Sequence, residues 1–196
     1  MKRPAKWEIV CSGIGGRGVL LASAVLIETA TAAGYHAVAS DELGMSQRGG
    51  SVVSMLKVGA FRSPFVGREN ADVLLSFEES EFYRNLTFLR RDGIAIVNSS
   101  KRETPPAVAA LLKARGIRCH LVDADGIASR HGVMQASNMA MLGFFSHFGF
   151  GPFTFDGVLG AIGRKVAPRL FEMNKAVCAE GRDAAAAAAA GHEVQP

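Results

Sequence analysis

Four glycines crowd the stretch GIGGRG, at positions 13, 15, 16 and 18, between a short apolar run (EIVCS) and a long helical pattern. Gly13, Gly15 and Gly18 fit G-x-G-x-x-G. Without Cβ atoms, such a turn lets backbone N–H groups approach a phosphate, and the following helix N-terminus favours negative charge. Three uses of the turn stay open: a dinucleotide site, a site for another phosphate-bearing ligand, or a tight strand–helix connection packed on neighbouring chain. A dinucleotide site also wants an acidic residue about 20 residues further on. The nearest are Asp41 and Glu42, and Asp41 stands 28 residues after Gly13, which is late. A second unusual stretch is GMSQRGGSV, residues 44–52, with Gln47, Arg48, Gly49 and Gly50 at its centre. An arginine before two glycines can present its guanidinium where the backbone turns sharply. Such a group suits a phosphate, a carboxylate or a partner chain, or is held by local carbonyls.

Catalytic groups are scarce. H-E-x-x-H, G-x-S-x-G and a GK[ST] P-loop are all missing from the sequence. His36, His120, His131, His147 and His192 lack metal-ligand spacing. Glu78 and Glu79 follow an apolar strand pattern, and Asp123 and Asp125 follow another. Both pairs suit helix N-termini, where acids are favourable, and both suit the ligand-binding edge of an α/β sheet. Cys11, Cys119 and Cys178 lie far apart without a C-x-x-C pair, so this chain supplies no cluster ligand set. Cys11 and Cys119 sit in strand-like runs and are expected to be buried. No catalytic residue and no metal ligand is assigned.

The elements that must position these groups alternate. Strands are expected at 8–12, 35–40, 51–59, 71–77, 93–100 and 117–125. Helices are expected at 18–33, 79–91, 105–116, 124–131, 136–148, 154–165 and 168–190. The 18–33 helix is apolar almost all round, which implies burial, and Gly34 is placed to cap it. Only a loop joins the second and third strands, so the third is expected to run antiparallel to its neighbours. The pattern implies an α/β fold: a three-layer sandwich with a mostly parallel, partly mixed sheet and a helical C-terminal third. One domain is expected, with an α/β core over 8–125, a helical part over 126–190 and a loose tail over 191–196. Six phenylalanines between 144 and 155 are expected to pack in the core, unless they form an exposed partner-binding patch.

Over 196 residues, 48% are hydrophobic and 20% charged, a composition able to bury a core without disulfides. The net charge of +4 is spread out, with no basic block to suggest nucleic acid. No signal-peptide pattern and no apolar span of about 20 residues is present, so a cytoplasmic chain without membrane partners is expected.

Several stretches in order resemble the gamma subunit, or gamma domain, of the 2-oxoacid:ferredoxin oxidoreductases. They are GIGGRGVLLASAVLIETATAAGY, GMSQRGGSVVSMLKVG and SPFVGRENADVLLSFEESE, followed by ASNMAMLG and EMNKAVCAEG. The GMSQRGGSV form is most similar to the small (beta) subunit of indolepyruvate ferredoxin oxidoreductase. Arg17 stands where the family usually has glutamine. The resemblance implies oxidative decarboxylation of a 2-oxoacid to an acyl-CoA, with electrons passed to ferredoxin. It places thiamine diphosphate and [4Fe-4S] clusters in a large partner subunit, and implicates this chain in assembly and coenzyme A engagement. The residues expected to make the coenzyme A contact are Gly13, Gly15, Gly16, Arg17, Gly18, Gln47, Arg48, Gly49 and Gly50, with contact to the partner subunit the open alternative for Arg17 and Arg48. A stand-alone NAD-dependent dehydrogenase and a noncatalytic assembly module are the competing readings.

Overall fold

A computed structural model describes residues 6–44 and 49–192. Six strands form one sheet: β1 (Trp7–Ile14), β2 (Ala37–Leu43), β3 (Ser51–Val58), β4 (Ala71–Ser76), β5 (Leu89–Asn98) and β6 (Arg118–Val122). Their order is β2-β3-β1-β4-β5-β6. β3 pairs antiparallel with both β1 and β2, while β1, β4, β5 and β6 pair in parallel. One reversed strand therefore lies inside an otherwise parallel sheet, as the short β2–β3 connection requires.

Among the described residues, seven α-helices cover the two faces: α1 (Val19–Ala32), α2 (Glu79–Asn85), α3 (Pro106–Ala114), α4 (Ala124–Arg130), α5 (Ser137–Ser146), α6 (Phe155–Lys165) and α7 (Phe171–His192). The thick face carries α1 and α4 to α7 over Ile9, Cys11, Leu56, Val73, Leu75 and Ile96. The thin face carries α2 and α3 over Val10, Leu74, Ala95 and Val97. Alternate strand residues thus feed opposite cores, and β1, β4 and β5 read as continuous apolar runs because both faces are covered.

On the thick face, every residue of α5 is buried. A Cβ on Gly143 would collide with the Cys178 carbonyl, and one on Gly181 with the Ala140 carbonyl. Glycine at both positions lets α5 and α7 touch backbone to backbone. Phe144, Phe145 and Phe153 are buried, and Phe148, Phe150 and Phe155 pack partly covered against them. The phenylalanine-rich segment is core.

Several boundaries differ from expectation. β1 runs on to Ile14, so Gly13 is a strand residue. β2 continues through Asp41, Glu42 and Leu43, which read as loop, because an edge strand pairs on one side and tolerates polar residues on the other. The helix expected over 79–91 stops at Asn85. A tight turn follows, and Leu89 already belongs to β5. Leu86 and Leu89 are buried as the spacing implied, but not from one helix. α1 is not buried all round, since Leu20 is 42% exposed beside the glycine turn. Gly34 does close α1: its φ is 82°, and Tyr35 N–H donates to the Ala30 carbonyl at 3.0 Å. α7 extends to His192, two residues into the expected tail.

Candidate functional site at the carboxyl edge of the sheet

The carboxyl ends of β1, β4, β5 and β6 share one edge of the sheet. From β1 the chain turns into α1 on the thick face. From its neighbour β4 it turns into α2 on the thin face. Connections that diverge from adjacent parallel strands open a crevice, the usual place for a ligand in an open α/β sheet. GIGGRG lies at this point.

Local contacts explain the glycines. A Cβ at Gly13 would stand 2.7 Å from Val19 Cγ2 and 3.2 Å from Phe77 Cβ. Gly16 and Gly18 have φ values of 94° and 72°, where side chains are strained. A Cβ at Gly18 would also strike the Asn138 amide. Asn138 itself is buried, and its Nδ2 donates to the Gly18 carbonyl at 3.3 Å. Arg17 N–H closes the turn on the Ile14 carbonyl at 3.1 Å. α1 starts without a side-chain cap and without an acidic residue in its first turn. Its N-terminal N–H groups thus have no capping side chain, as an anion site requires.

The second glycine stretch arrives at the same place. Ser51, the first residue of β3, is paired in register with Ile14, the last of β1. Gly15 N–H donates to the Gly50 carbonyl at 2.9 Å. Gly13, Gly15, Gly16, Gly18, Gly49 and Gly50 are therefore gathered at one end of the sheet. Gln47 and Arg48 lie outside the described residues.

Arg17 points the other way. Its Nη1 donates to both Asp125 oxygens, each at 3.0 Å, and its Nη2 to Glu78 Oε2 at 3.0 Å. The arginine thus crosses a small cleft of about 230 Å³ lined by Glu78, Glu79, Asn98, Ser99, Asp123 and Asp125. Of the acids that read as helix starters, Asp123 caps α4, its Oδ1 accepting from Gly126 N–H at 2.8 Å, whereas Glu78, at the N-cap position of α2, makes no side-chain cap bond. Sequence reasoning missed Asn98. Its Nδ2 donates to the Phe77 carbonyl at 3.3 Å, and its Oδ1 accepts from Ala124 and Asp125 N–H at 3.0 and 3.3 Å. It ties the ends of three chain segments, and an asparagine after an apolar strand was its only signal. Glu79 accepts from Lys101 Nζ, Tyr83 Oη and Ser99 Oγ at 2.6–2.8 Å. Those bonds, with Lys101 first, hold its carboxyl down at about 2.

The dinucleotide reading loses its acid here. β3 separates β2 from β1, and Asp41 Oδ1 instead accepts from the Ser54 hydroxyl at 2.5 Å. The three cysteines are free thiols, and burial pushes each up to about 12. Cys119 is only partly buried, contrary to expectation, because β6 is an edge strand and the residue faces an open groove beside Arg102, His120 and Ala187. Among the described residues, no group of histidine, cysteine and carboxylates is placed to hold a metal ion, and no helix is long and apolar enough to cross a membrane.

Residues 8–184 match the family model described as pyruvate ferredoxin/flavodoxin oxidoreductase. The chain belongs to that family. Within it, similarity runs to indolepyruvate oxidoreductase subunit IorB of Archaeoglobus fulgidus, 29% identical over 85% of this chain and 89% of the relative. IorB of Thermococcus kodakarensis is 28% identical over 86% of this chain and 91% of its own length. Among solved structures, pyruvate oxidoreductase subunit PORC of Thermotoga maritima aligns at 26% identity with a TM-score of 0.72, covering 91% of this chain and 96% of that one. A 2-oxoglutarate:ferredoxin oxidoreductase from Magnetococcus marinus, solved with 2-oxoglutarate, coenzyme A and succinyl-CoA, shares the fold. Its TM-score is 0.77 at 14% identity, covering 93% of this chain and 31% of the longer one. The chain is an IorB-like small subunit of a 2-oxoacid oxidoreductase, an enzyme that works as a complex.

Proposed function

We propose that this chain is the small subunit of an arylpyruvate ferredoxin oxidoreductase of the indolepyruvate type, and that its two glycine segments engage coenzyme A. The overall reaction converts a 2-oxoacid and coenzyme A into acyl-CoA and carbon dioxide. The C1–C2 bond breaks, a C–S bond forms, the thiol proton is released and the electron pair goes to ferredoxin. A large cytoplasmic partner subunit supplies thiamine diphosphate and the [4Fe-4S] clusters. The residues here fit that division, because three dispersed, largely buried thiols make no cluster ligand set.

The observation that carries the coenzyme A role is the bond from Gly15 to Gly50, which joins the two glycine segments at the uncapped start of α1. Backbone donors at Gly16 and Gly18 meet phosphate oxygens there, with Gly15 held to Gly50, Gly49 and Gly50 forming the facing wall, and Gln47 and Arg48 just before them in the sequence. Arg17 contributes by bracing the turn from the acidic side, through Glu78 and Asp125. The test is reconstitution with the large subunit and assay of ferredoxin reduction. Indolepyruvate or phenylpyruvate should drive it only with coenzyme A and both chains present. Full activity of the large subunit alone, or turnover with NAD in place of ferredoxin, would overturn the proposal.

A further inference from the structure

Glu81 is a carboxylate only 3% exposed, on the short helix α2, and nothing so far has used it. Burying a carboxylate costs desolvation, and an apolar side chain would fill the position without that cost. Its contacts show what the charge holds. Oε2 accepts from the Ser51 hydroxyl at 2.6 Å and from Asn85 Nδ2 at 3.3 Å, while Arg84 Nε lies 3.5 Å from Oε1. Ser51 is the hinge of the glycine site. Its carbonyl accepts from Gly44 N–H at 2.7 Å, it pairs with Ile14, and the preceding carbonyl, of Gly50, takes the Gly15 N–H. One short charge-assisted hydrogen bond therefore ties α2, on the thin face, to both glycine segments.

We infer that Glu81 is a positioning residue that sets the spacing of the two glycine segments through the Ser51 hydroxyl, and so governs coenzyme A binding without touching the ligand. The inference rests on the coenzyme A reading of the site. Losing the bond lets β3 and the Gly49–Gly50 segment shift against the glycine turn, which weakens the ligand's backbone contacts and leaves the reacting centre in the other subunit alone.

The experiment uses the assembled two-subunit enzyme with Glu81→Ala, Ser51→Ala, the double variant and Glu81→Gln. Each single alanine variant is expected to raise KM for coenzyme A about tenfold, the scale of one hydrogen bond to a charged group. kcat and KM for the 2-oxoacid should stay within about twofold of the parent enzyme, as for lost uniform binding. The double variant should be no worse than either single one, since both remove the same bond. Glu81→Gln keeps an acceptor for Ser51 and should restore KM to within about twofold of the parent. If Glu81→Ala does not assemble, Ser51→Ala removes one hydroxyl and still reads the bond. An unchanged KM in Ser51→Ala, or multiplied losses in the double variant, would overturn the inference. Hydrogen exchange at residues 13–18 and 49–50 of the parent complex, with and without coenzyme A, separates the two failures. Protection by coenzyme A together with an unmoved KM sinks only the positioning role. No protection sinks the coenzyme A reading and the inference with it.

Discussion

The two sides of the glycine turn are built on opposite principles. On the β3 side, backbone meets backbone: glycines, an uncapped helix start and a single bond from Gly15 to Gly50. On the β4 side, side chains satisfy one another: Arg17 with Glu78 and Asp125, Glu79 with Lys101, Tyr83 and Ser99, and Asn98 with three backbone groups. A site meant to receive an anion leaves donors unspent, whereas a site meant to hold its own shape spends them. Charge alone would have suggested the reverse, because the obvious cation, Arg17, stands on the satisfied side.

The sharpest break in this contrast comes from Gly18. Gly18→Leu places a side chain at a φ of 72° and into Asn138, and should cost about 3 kcal/mol in chemical denaturation, with coenzyme A binding lost. Asn98→Ala comes next. It leaves the buried N–H of Ala124 and the half-buried N–H of Asp125 without their acceptor and should cost about 2 kcal/mol. KM for coenzyme A should hardly move if the acidic side is structural.

Acid tests the same side without mutation. Folded Glu79 binds its proton only near about 2, whereas its unperturbed value is 4.5. Its stabilisation is complete above about 4.5 and drains away as pH falls toward 2, a loss of roughly 1–2 kcal/mol given its partial exposure. Denaturation curves between pH 6 and 2 should show that fall, and Lys101→Met should flatten it. Arg17→Ala is the smallest effect, about 1 kcal/mol at low salt for a group nearly a third exposed, shrinking as salt is added. A rise in coenzyme A KM as large as that of the glycine-side variants would erase the distinction between the sides.

Much of this edge was legible from residues 8–77. Apolar runs without alternation marked the doubly covered strands, and a connection too short for a helix marked the reversed β3. The glycine spacing located the turn itself. What the sequence hid was partnership. Arg17 looks like a ligand group until Asp125, 108 positions away, is seen to hold it. Glu81 looks like an ordinary helix-start acid, and only the fold brings it against Ser51. Helix-period spacing carried the 79–91 reading past Asn85, because Leu86 and Leu89 are buried by a turn and a strand that happen to keep the same interval.

α5 carries a last consequence, for how the chain comes into being. Its residues are covered on every side, and the cover that touches it most intimately is α7, where Gly143 meets Cys178 and Gly181 meets Ala140. Until α7 docks, a helix bearing Met139, Met141, Leu142, Phe144 and Phe145 has no lid. Any folding intermediate that has yet to seat α7 therefore shows its greasiest surface and is open to aggregation, so that this last docking step protects as well as stabilises.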